Sequence, residues 1–125
     1  MTSDSGLHEQ VSDTITTGLK TDDRRDRDSP TLNIAWINWD SGFRSSSLIP
    51  GDQIVAVNDE LMRPHSAGTS RDHMVGQAQE SAYWKERGAR DGMPVRLTVR
   101  RRRMPGEGWE TIEITAALRG ERNYF

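Results

Sequence analysis

Three histidines and a run of serines are the first residues in this 125-residue chain that could do chemistry. His8, His65 and His73 could ligate a metal or move a proton, but no two stand four residues apart on one helix face, the spacing a helical metal site uses. No metal or other cofactor is therefore expected. Ser45-Ser46-Ser47 invites a nucleophile reading, yet no Gly-x-Ser-x-Gly elbow surrounds it and no base can be assigned. It reads as a polar loop. Asp22-Asp23 lies in a charged stretch that reads as an exposed loop. With no cysteine, disulfides, thiolate metal sites and cysteine nucleophiles are excluded. The chain is not expected to be an enzyme. The basic run Arg100–Arg103 stands at the end of an expected hairpin. Nucleic-acid binding would need aromatic partners beside it and a positive chain. Net charge is −2 and the sequence shows no aromatic neighbour in the run, so no nucleic-acid partner is expected and the hairpin reads as solvated and edge-protecting.

The elements that must position any site follow from pattern. The length suits one domain, and 33% hydrophobic residues with a mean hydropathy of −0.81 leave part of the chain solvated. No run reaches the roughly 18 apolar residues of a membrane span, and the first residues show neither a basic region nor an apolar one. Membrane insertion and a visible secretory leader are thus not expected; the compartment is otherwise open. Residues 1–13 are polar and aperiodic, read as a tail, as is 119–125. The domain is expected over 14–118.

Within it, "TITTGLKT" (14–21) reads as a short strand carrying Ile15 and Leu19. "TLNIAWINW" (31–39) is a strand with Leu32, Ile34 and Trp36 on one face by period two. One helical turn is expected near Phe43–Leu48. Ile54–Val57 is a short apolar strand, and Asn58-Asp59, which tolerate positive φ, turn it into Glu60-Leu61-Met62. A helix is expected over 71–87, with Met74, Val75, Ala78 and Ala82 as its apolar stripe and Gly88 ending it. Val95, Leu97 and Val99 alternate with polar residues, as do Ile112, Ile114, Ala116 and Leu118, which makes a hairpin. The fold class is mainly β with one or two helices, α+β, a partly open barrel or sandwich capped by a helix.

The stretch "DSGFRSSSLIPGDQIVAVNDELM" resembles the central signature of PDZ domains, with Leu48, Gly51, Asp52, Ile54, Val57 and Asn58 on the family's Leu-x-x-Gly-Asp and Ile-x-x-Val-Asn positions. Asp59 stands where the family usually has Gly. "GMPVRLTVRR" is similar to a later strand of the family. The resemblance covers about 15–118 and looks like the bacterial, protease-associated type. The physics of the signature is structural: Gly51 relieves a tight turn, Asp52 accepts turn amides, and Leu48, Ile54 and Val57 seal a core.

The resemblance implies a peptide-binding module, with protein or peptide partners, C-terminal segments among them. The peptide would add as a strand between the second strand and the late helix. The implied binding residues are Thr17, Gly18, Leu19 and Lys20 of "TTGLKT", with His73, Gln77 and Trp84 of the helix. Alternatives remain open at this point. His73 reads as a ligand contact or a solvated side chain, and Trp84 as groove wall or core. The chain as a whole reads alternatively as a regulatory or substrate-presenting domain of a bacterial protease, or as a structural homo-oligomerisation domain.

Overall fold

The structure, a computed structural model, describes residues 9–22, 31–62, 75–76, 80–103, 106 and 108–124. Alternating residues build most of it. In β6 (Pro94–Arg102), Val95, Leu97 and Val99 are buried while the residues between them reach solvent. Its partner β7 (Trp109–Ala117) pairs with it antiparallel through nine matched positions, from Pro94↔Ala117 to Arg102↔Trp109. β4 (Gln53–Val57) lies on the other side of β6, and Ile54 and Val57 are fully buried. Asn58 and Asp59 take φ of +53° and +80° and turn β4 into β5 (Glu60–Leu61). Asn58 also fastens the hairpin to β6: its N–H donates to the Arg96 carbonyl at 2.8 Å and its Oδ1 accepts the Arg96 N–H at 2.9 Å.

The main sheet runs in the order β2 (Leu19–Asp22), β3 (Leu32–Ile37), β4, β6, β7, with β5 paired to β4 off this path. All its pairings are antiparallel. The fold is therefore mainly β, with the helix α1 (Glu80–Glu86) packed against β1 (Glu9–Thr16). One core collects Phe43, Leu32, Ile34, Ile54, Leu97 and Leu118 with Trp84 and Tyr83 of the helix. Tyr83 joins α1 to the β5 turn: its hydroxyl donates to Glu60 at 3.0 Å, and Arg87 both stacks on its ring and pairs with Glu60. Burial, before any other cause, pushes the Tyr83 phenol up to about 12.

Several expectations are corrected. β3 (Leu32–Ile37) does not keep one phase. Lys20 faces Trp36 but Thr21 faces Ile34, so Ala35 is an extra residue, a bulge. Beyond it the faces exchange, Ile37 turns inward and Trp36 is 57% exposed. The stretch 14–21 is two strands: β1 ends at Thr16 and β2 (Leu19–Asp22) begins after Thr17-Gly18. Of the residues read as tails, 9–13 and 119–124 belong to a ribbon, in which β1 pairs antiparallel with β8 (Arg119–Tyr124). Of the stretch expected as helix, 80–86 is helical, Val75 and Gly76 form a turn, and 71–74 and 77–79 lie outside the described residues; Ala82 is exposed while Glu80, Tyr83 and Trp84 face inward. Met74 and Ala78 lie outside the described residues.

Two glycines make opposite demands. Gly51 takes φ +98° with open space where a Cβ would stand, so its constraint is conformational. Gly51→Val is expected to cost about 1–3 kcal/mol. At Gly42 a Cβ would collide with the Ala117 carbonyl oxygen. Gly42→Ala must push the 41–43 turn off the end of β7 and is expected to cost about 1–3 kcal/mol by overpacking. Urea unfolding of both variants measures this; an unchanged midpoint for Gly42→Ala would mean that the turn is not held against Ala117.

Candidate functional site

The turn Thr16–Leu19 joins the ribbon to the main sheet and is tied on every side. Gly18 takes φ +73°, which lets the chain leave β1 and enter β2. The Gly18 N–H donates to Thr16 Oγ1 at 3.2 Å, and the Gly18 carbonyl accepts the Asn38 N–H at 2.9 Å. Ser41 Oγ donates to the Thr17 carbonyl and accepts the Phe43 N–H at 3.0 Å.

The strongest tie comes from the helix. Glu80 is buried, with 4% of its surface exposed. Its Oε2 accepts the Thr17 N–H at 2.8 Å, the Thr17 hydroxyl at 2.7 Å and the Trp84 indole N–H at 2.8 Å. Its Oε1 accepts the Gly76 N–H at 2.9 Å. Removal from water raises the Glu80 pKa above its ordinary 4.5, and the four hydrogen bonds oppose that rise without cancelling it. An uncompensated buried carboxylate would not survive folding; four donors make this one tolerable.

Beside this tie lies an open groove of about 430 Å³ between β2 and the start of α1, lined by Leu19, Lys20 and Thr21 on one wall and Gly76, Glu80 and Ser81 on the other. Among the described residues β2 is the end strand of its sheet, and Leu19, Lys20 and Thr21 border this groove. The groove narrows at Thr21, whose hydroxyl donates to the Val75 carbonyl at 3.0 Å. There Gly76 lies so close that a Cβ would stand 2.6 Å from the Thr21 methyl group. A second hollow of about 370 Å³ adjoins the Gly18 end and shares Thr14, Thr16, Gly18 and Asn38 with the groove.

Of the residues expected at the site, Gly18, Leu19 and Lys20 line the groove. Thr17 is fully buried with its N–H and hydroxyl both given to Glu80, so it shapes the turn from inside. Trp84 is core, 2% exposed, with its indole on Glu80. His73 and Gln77 lie outside the described residues, as do His8 and His65. Sequence reasoning missed Glu80. The signal was present: Glu80 and Trp84 stand four apart and share one helix face, so if Trp84 is core Glu80 must be near it. Asn38 and Ser81 carried no such signal.

The basic hairpin also differs from expectation. Trp109, across the hairpin, stacks under Arg100 at 4.4 Å and Arg102 at 5.4 Å, so the run does have an aromatic partner. Arg101 points the other way and grips buried Asp52 with two bonds of 2.8 and 2.7 Å, while Asp52 accepts the Ile49 N–H ahead of the strand.

No protein-family model matches the chain, and no curated protein matches it in sequence. No helix among the described residues is long and apolar enough to cross a membrane.

Removing Glu80 should loosen the turn and the helix together. Glu80→Ala strands four donors and is expected to cost on the order of 3–5 kcal/mol. The raised pKa adds a pH signature. Because the folded state holds the Glu80 proton more tightly than the unfolded state, this contribution is fully present below about 4.5 and is lost as pH rises through the folded pKa. The stability advantage of wild type over Glu80→Gln should therefore be larger at pH 5 than at pH 7. Paired urea titrations test this, and an advantage that grows with pH would reverse the assignment.

Proposed function

We propose that this chain is a PDZ-like peptide-binding module that takes an extended peptide as an added strand on the free edge of β2, beside α1. The observation that carries the reading is the placement of β2, the end strand among the described residues, along an open groove of about 430 Å³. Strand alternation supplies the contact. The Gly18 carbonyl is bonded toward Asn38 in the sheet, so the next residue, Leu19, directs its N–H and C=O to the open side. These are the groups an incoming strand would pair with. The PDZ-type signature supports the reading through its structural roles: Leu48, Ile54 and Val57 are buried, and Asp52 accepts its turn amide.

The groove also selects what enters. Val75-Gly76 closes the β2 edge at Thr21, which leaves Leu19 and Lys20 as the open part. A short edge of this kind favours a chain end over an internal segment. Its small area places affinity in the micromolar range, about −8 kcal/mol or weaker.

The test is chemical-shift mapping with a pool of acetylated hexapeptides. Amides of 18–21 and 81 should move together and saturate, and Ser81→Trp, which fills the groove from a half-buried position, should abolish the effect. Shifts confined to Arg100–Arg103 and Trp109 would replace this reading with an anion-binding one.

A further inference from the structure

We infer that the outer face of the β6–β7 hairpin binds single-stranded nucleic acid, with Arg100 and Arg102 on its phosphates and Trp109 as a platform for a base. The inference is independent of the peptide-binding reading, because the hairpin lies at the other end of the strand order from the β2 groove. Strand register makes the face. Arg102 stands directly opposite Trp109 and Arg100 opposite Thr111, so these four share one side of the ladder. Val95, Leu97 and Val99 fill the other side, and Arg101 follows them to its bonds with Asp52. The Arg100 and Arg102 guanidiniums are thereby carried to one indole, 4.4 and 5.4 Å from its centre. Arg100 is also held from β4: its Nε–H donates to Gln53 Oε1 at 2.6 Å, and the Thr31 hydroxyl donates to the same oxygen at 3.3 Å.

Two like charges beside one ring repel each other, and no carboxylate among the described residues lies within ion-pair distance of either. Glu113, the acid of β7 on this face, pairs with Arg96 further along β6, as does Asp59. A guanidinium that stacks through its flat face keeps the N–H groups of its edge for an acceptor. The two arginines stand two strand residues apart, about 7 Å along β6, which suits a run of charges better than one small ion. Trp109 keeps 38% of its surface exposed beside them. An exposed indole among cations is the pairing on which unpaired bases stack, whereas a double helix keeps its bases stacked on each other. The net charge of −2 does not oppose contact, because charges beyond about 10 Å are screened at 0.1 M salt. It does remove long-range steering, so binding depends on these few groups.

The probe is decathymidylate, titrated onto the full chain while the Arg100 and Arg102 Nε–H and Trp109 indole N–H signals are followed. All three should shift together and saturate. Affinity should fall about 25-fold for a tenfold rise in salt, the slope of two phosphate contacts on a single strand. Arg102→Met should reduce that fall to about fivefold. Arg90→Met, which removes the same charge from an exposed position ahead of β6, should leave it unchanged. Trp109→Ala should weaken binding at least about fivefold, and Trp109→Phe should recover part of the loss. An abasic decamer of equal charge should likewise bind at least about fivefold more weakly than decathymidylate. An unmoved Trp84 indole signal shows that a variant is folded; if Trp109→Ala moves it, Arg102→Met and the abasic decamer decide. Equal binding of the two decamers overturns the base platform and leaves a polyanion patch only. Shifts from vesicles of phosphatidylserine and phosphatidylcholine in equal parts, with none from decathymidylate, overturn the inference in favour of a lipid contact. Decathymidylate shifts placed elsewhere than the hairpin, or no shifts at all, overturn it outright.

Discussion

A carboxylate out of water must be answered by donors, and the way Glu80 is answered organises this molecule. Its four hydrogen bonds reach the β1–β2 turn, the Val75-Gly76 turn and its own helix. Those are the three pieces of chain that surround the groove. Apolar contact alone would let α1 slide on β1, because burial has no direction. A buried acceptor with fixed donors does have direction, and misplacing it leaves several polar groups unpaired at once. The groove width is therefore set by one side chain that is itself almost hidden from solvent.

The same tie shapes what the site can offer. Thr17 turns its donors inward, so the turn presents little to a ligand except through Gly18 and the strand that follows. What borders the groove is the strand that follows, β2, with Arg119 lining the hollow that adjoins its Gly18 end. Arg119 arrives there only because β8 pairs with β1, far from it in sequence. A second buried carboxylate, Asp52, gripped by the partly exposed Arg101, performs a comparable service elsewhere in the sheet, holding the β4 entry turn to β6. Replacing either partner would leave a charge stranded, so such pairs fix geometry more surely than they add stability.

The parts of this protein that the sequence alone determined are those where neighbours along the chain decide. The β6–β7 hairpin follows from strict alternation, and Asn58-Asp59 make their turn because their short polar side chains accept positive φ. Gly51-Asp52 behaves as read, since turn geometry is local. Tertiary structure decided the rest. Trp36 leaves the core because a bulge at Ala35, imposed by pairing with β2, reverses the phase of β3; no period within 31–39 encodes that. Residues 9–13 and 119–124 read as polar tails because neither stretch shows apolar alternation, and only the pairing of β1 with β8 makes them part of a ribbon. Nothing in the sequence pattern singles out Glu80 until Trp84, four residues on, is known to be core. A charge goes inside only where donors from distant segments converge, and that convergence is a property of the folded chain.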